Sequence, residues 1–128
     1  MQTMVPGIER RKYPRYCCRL TAFLDEKQAH VYLCDLSLGG CFVETTEENL
    51  LPRGTRVNLT LFLPCVGPLP ATGIVHHHGS PERPGMGVEF IYFPDRLHLV
   101  YAKFVKILPI LQEARDLYRR LGTASSKK

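Results

Sequence analysis

At 128 residues, 45% of them hydrophobic, the chain fits one globular domain with its own core, and the overall composition is globular rather than disordered. The formal net charge of +5 comes from 17 basic and 12 acidic residues, and Arg10, Arg11, Lys12 and Arg15 place four of the positives within six residues. Without those four the balance is 13 against 12, so the basic character is one local patch. Such a patch suits a small anionic ligand and argues against a protein that tracks a nucleic-acid backbone along a whole face.

The opening MQTMVPGIE has no basic start followed by an apolar run, so no secretory signal is expected. No uninterrupted apolar run approaches a membrane span, and the stretch 59–75 is broken by three prolines. A soluble, cytoplasmic protein without a membrane span is the expectation. Five cysteines, at 17, 18, 34, 41 and 65, form no CxxC pair, and three lie in strand-like sequence where a reduced thiol behaves as a small buried hydrophobe.

The first stretch of interest is ERRKYPRY, residues 9–16. Arg11 and Arg15 stand in RxxxR spacing with Arg10 directly before them, and Pro14 keeps the segment from continuing as a helix. The arginine fork of donors suits phosphate oxygens and the O6/N7 edge of guanine, while a plain solvated arm needs no ligand at all. Residues 15–24 then read as a strand with Tyr16, Cys18, Leu20, Ala22 and Leu24 on one face, and 28–34 as a second.

Between the second strand and a third at 41–45 lies DLSLGG, residues 35–40. Asp35 can accept N–H groups from the plane of a base, Ser37 can donate to a phosphate oxygen, and Gly39 and Gly40 permit close approach. An ordinary hairpin turn uses the same residue types. After a loop at Glu47, Glu48 and Asn49 and a turn at 52–54, residues 55–63 alternate cleanly: Thr55, Val57, Leu59, Leu61 and Leu63 on one face, Arg56, Asn58, Thr60 and Phe62 on the other. PCVGPLP reads as a connection, 71–78 as a fifth strand, GSPERPG as a loop and 86–92 as a sixth strand. Six short strands with regular turns point to a small antiparallel β-barrel.

From Asp95 the period lengthens: Leu97, Val100, Tyr101, Phe104, Val105 and Leu108 mark an amphipathic helix that closes one mouth of the barrel. Pro109 predicts a kink, or a break into two helices, and Gly122 a stop. The apolar stripe beyond Pro109 either packs into the core or offers a contact surface. The expected layout is one domain over 1–128: a mobile arm at 1–15, a barrel at 15–92, a helical segment at 94–122 and a disordered tail at 123–128. His76 and His78 would share a strand face, yet no acid or cysteine nearby completes a ligand set, so no metal is expected.

RRxxxR at 10–15 followed by DxSxxG at 35–40, with GMGVEF at 85–90 in support, resembles the PilZ domain, a bacterial family of receptors for the dinucleotide second messenger cyclic di-GMP. The resemblance covers about residues 9 to 90 and implies the same six-stranded barrel that the strand pattern reaches by itself. It implies that Arg11 and Arg15 wrap over the ligand from the arm, that Asp35 and Ser37 meet it from the barrel, and that Gly39 or Gly40 lets it lie close. Gly73, Val75 and His77 match the family's GxVxx strand, whose last position often carries a flat or cationic side chain beside the ligand. A small or apolar residue in front of RxxxR suits one ligand molecule, and a long basic one such as Arg10 suits an intercalated pair. The resemblance further implies an adaptor that passes its signal to a separate effector protein.

No GxSxG, phosphate-loop lysine or Cys–His arrangement suggests catalysis, so the chain is read as a binding protein without cofactor rather than an enzyme. Two alternatives stand beside the cyclic di-GMP receptor: a PilZ-type adaptor that acts without ligand, and a small-barrel binder of single-stranded nucleic acid, which the localised charge disfavours.

Overall fold

A computed structural model describes Tyr16 and residues 18–126. Six strands, β1 (Leu20–Leu24), β2 (Ala29–Cys34), β3 (Gly40–Glu44), β4 (Arg56–Leu63), β5 (Gly67–Ser80) and β6 (Arg83–Tyr92), precede a helix, α1 (His98–Ser126). The strands close into an antiparallel barrel in the order β1-β2-β3-β6-β5-β4. Closure removes sheet edges and turns one side of every strand inward. β4 shows the consequence: Val57, Leu59, Leu61 and Leu63 are buried while Arg56, Asn58 and Phe62 face out, as the alternation predicts.

Three boundaries differ from expectation. PCVGPLP is not merely a connection, because β5 begins at Gly67 and carries Pro68 and Pro70 within it. That part of β5 pairs with β4 alone, and its ladder with β6 starts only at Thr72. A proline there removes no ladder donor that a second neighbour would need. GSPERPG is mostly strand as well: Ser80 pairs with Arg83, so only Pro81 and Glu82 form the turn. At the other end β1 starts at Leu20 rather than at 15, and Tyr16 instead forms an isolated bridge with Leu36.

α1 is one helix of 29 residues that runs through Pro109 and on past Gly122, not two segments. A proline inside a helix costs one backbone bond and a local clash, and the turn before it is anchored in the core by Val105 and Leu108. Tyr101, Phe104, Val105 and Leu108, one helical stripe, are buried in the common core and cover one mouth of the barrel. Each such side chain contributes roughly 1.5–3 kcal/mol on burial. Beyond Pro109 the stripe is not core: Ile110, Leu111, Leu117, Tyr118 and Leu121 are exposed. No described helix is long and apolar enough to cross a membrane.

Candidate ligand-binding site

β2 ends because Asp35 takes a left-handed backbone, φ 55°, a conformation that aspartate tolerates better than most residues. The chain then folds into a loop that Ser37 holds shut. The Ser37 N–H donates to the Gly40 carbonyl at 2.9 Å, its hydroxyl accepts from the Gly40 N–H at 3.2 Å, and the same hydroxyl reaches the Gly40 carbonyl at 3.3 Å. The Phe90 N–H donates to the Gly39 carbonyl at 2.8 Å and ties the loop to β6. Gly40 lies so close to β6 that a Cβ would collide with the Val88 carbonyl. Ser37 is therefore buried and engaged in the loop, whereas the sequence suggested a hydroxyl offered to phosphate.

Two elements converge on this loop. The Tyr16 N–H donates to the Leu36 carbonyl at 2.8 Å, and the Leu36 N–H returns the bond to Tyr16 at 3.0 Å. Tyr16 thus joins the fold in the middle of DLSLGG. From the other side, the Tyr101 hydroxyl of α1 donates to the Ser37 carbonyl at 2.6 Å in a buried bond. Burial holds the Tyr101 phenol well above its ordinary pKa. An apolar cleft of about 490 Å³ runs between Tyr16, Leu38 and the α1 residues Leu99, Ala102 and Val105, so arm root, loop and helix share one boundary.

The outer wall beside Asp35 holds groups that the sequence does not announce. Cys41 and Val43 point into the core, so Phe42 between them points outward, yet it is only 5% exposed. What covers it is the end of the β5–β6 hairpin. The Arg83 guanidinium lies 4.3 Å from the Phe42 ring centre, and the His77 ring stacks 6.1 Å away on the same phenyl. Arg83 Nη2 donates to Asp35 Oδ2 at 2.6 Å and to Cys34 Sγ at 3.0 Å. The carboxylate bond is the main reason that the guanidinium pKa is raised further, and the thiolate of Cys34 is disfavoured by burial although Arg83 opposes that shift. Arg83 is hidden in the sequence because it stands in GSPERPG, which has the look of a loop.

The histidines follow from a bulge in β5. The register slips between Val75 and His77, so His76 and His77 no longer alternate, and their rings meet edge to face at 4.4 Å with the two Nδ1 atoms 3.1 Å apart. His77 lies across Gly87, where any Cβ would strike the imidazole. His78 turns away, its Nε2 2.8 Å from the Leu51 carbonyl. Among the described residues, no three metal-binding side chains gather.

Of the predicted site residues, Asp35, Ser37, Gly39 and Gly40 share the loop, and His77 stands on the adjoining wall. Arg10, Arg11 and Arg15 lie outside the described residues. Cys34, Cys41 and Cys65 form no disulfide among the described residues.

A small closed antiparallel barrel followed by one helix, with a polar loop from Asp35 to Gly40 between β2 and β3, is the architecture that these elements define. The chain belongs to the PilZ domain family, whose match spans residues 9–104. PilZ domains are cyclic di-GMP-binding and adaptor modules rather than enzymes. Among solved structures the fold is similar to that of the Bacillus subtilis inhibitor of motility (MotI/DgrA), with a TM-score of 0.67 and 18% identity over 84% of this chain. The match covers 53% of that protein, so the chain spans about half of its length. No curated protein gives a significant match.

Proposed function

We propose that the chain is a cyclic di-GMP receptor and adaptor that binds the dinucleotide through Arg10, Arg11, Arg15, Asp35, Gly39 and Gly40, with Ser37 shaping the loop and His77 at its border. The observation that supports this reading is the Tyr16–Leu36 bridge, which sets the residue that follows RRxxxR in the sequence onto DxSxxG. Tyr16 directly follows Arg15 in the sequence, which supports one site built from both motifs. Cyclic di-GMP carries two phosphates and two guanines, and arginine forks opposite a carboxylate meet both kinds of group.

The helix gives the reading its output. Ligand bound on the loop would load the Tyr101–Ser37 bond and the cleft beside Leu38, and both belong to α1 as well. A separate effector protein receives the signal. Motility control, the role for which the Bacillus subtilis neighbour is named, is one setting for it. Calorimetric titration with cyclic di-GMP, against ATP and single-stranded DNA, tests the proposal. Saturable binding of cyclic di-GMP alone is expected, with two ligands per chain falling to one in Arg10→Leu. Binding of DNA in its place, or of no ligand, overturns it.

A further inference from the structure

We infer that Arg83 is a positioning residue of this site: it holds the Asp35 carboxylate by one oxygen so that the other is presented to the edge of a guanine. The inference rests on the cyclic di-GMP reading above. Asp35 Oδ2 is engaged by Arg83 at 2.6 Å, and no described residue bonds Oδ1. The carboxylate keeps 24% of its side-chain surface in solvent, so the second oxygen has room for a ligand donor. Guanine offers such donors side by side, its N1–H and 2-amino group, whereas adenine has an acceptor at N1. A carboxylate with a fixed direction therefore discriminates between the two bases, and a swinging one discriminates less.

The wall around Arg83 is built to fix that direction. Its guanidinium is pinned by Cys34 Sγ at 3.0 Å and laid over Phe42 at 4.3 Å. Phe42 in turn is seated between two glycines. A Cβ at Gly79 would come within 2.8 Å of the ring, and one at Gly85 within 2.6 Å. His77 also stacks on the phenyl, with ring centres 6.1 Å apart. A surface ion pair with no task contributes little and needs no such mounting. Here a planar cation is held on an aromatic platform next to the one acid of the binding loop.

The test compares cyclic di-GMP with cyclic di-AMP on wild type, Arg83→Ala and Arg83→Gln; the glutamine keeps much of the stem over Phe42. Both variants are expected to lose tenfold or more in affinity for cyclic di-GMP, to lose most of the guanine preference, and to melt within a few degrees of wild type. In an Asp35→Asn background, removing Arg83 is expected to change affinity less than threefold, because its effect runs through the carboxylate. An unchanged guanine preference in both variants overturns the inference and leaves the receptor reading intact. Tighter binding by Arg83→Ala also overturns it, since the pair would then be blocking the loop. Failure of wild type to bind cyclic di-GMP overturns both readings.

Discussion

Ser37 and Gly40 hold the candidate loop in shape from within. Ser37 is buried and spends its hydroxyl on Gly40, and Gly40 is pressed against the Val88 carbonyl. Ser37→Ala is therefore expected to lower stability by about 1 kcal/mol, the worth of an ordinary hydrogen bond, as read by urea denaturation. Gly40→Val must push β3 from β6 and is expected to cost at least about 1–3 kcal/mol, seen as a lower melting temperature before any ligand is added. Asp35 differs, because it is partly exposed and lies outside the core. Asp35→Ala should lower stability by the roughly 1–2 kcal/mol that its left-handed backbone costs alanine, without unfolding the protein, and weaken cyclic di-GMP binding by more than about 2 kcal/mol, as when a charge-assisted contact is lost. A melt that collapses in Asp35→Ala would make the aspartate a turn residue and nothing more.

Among the elements, α1 carries the coupling. Tyr101 packs against both Phe90 and Phe93, at 5.3 and 5.1 Å, and bonds the Ser37 carbonyl. Tyr101→Phe keeps the ring and leaves that buried carbonyl unpaired, so a loss of about 1–3 kcal/mol is expected, together with faster amide exchange at residues 36–40. Exchange that stays at the wild-type rate there would mean that helix and loop are not coupled. Much of this layout is legible in the sequence where burial is one-sided. β4 alternates because one face meets the core, and Tyr101, Phe104, Val105 and Leu108 recur as a stripe for the same reason. Legibility ends where local signals contradict the pairing. Pro68 and Pro70 disguise a strand that has one neighbour at that point, GSPERPG disguises a hairpin end, and the bulge at His76 breaks the period that would have placed the histidines. The candidate loop is legible from Asp35 to Gly40, but Arg83 is not. Its partnership with Asp35 spans 48 residues and depends on how β6 lies beside β3.

For the whole molecule, burial sets a limit at alkaline pH. It raises the pKa of the Cys34 and Cys41 thiols above the ordinary 9.0, and that of the Tyr101 phenol as well. Above about pH 9 the unfolded chain releases these protons while the fold retains them, so the unfolded state binds fewer protons and stability falls as pH rises. The stabilisation is complete below that range. The denaturation midpoint should thus decline between about pH 8 and pH 10.5, and less steeply in Cys41→Ala; a flat profile would contradict the burial of these groups. The central claim is that an arginine-bearing segment and the loop from Asp35 to Gly40 together form one cyclic di-GMP site. Calorimetry with wild type, Arg11→Ala and Arg15→Ala tests it most directly. Wild type should bind saturably, and each variant should lose more than about 2 kcal/mol at unchanged melting temperature. Equal affinity in all three proteins would contradict it.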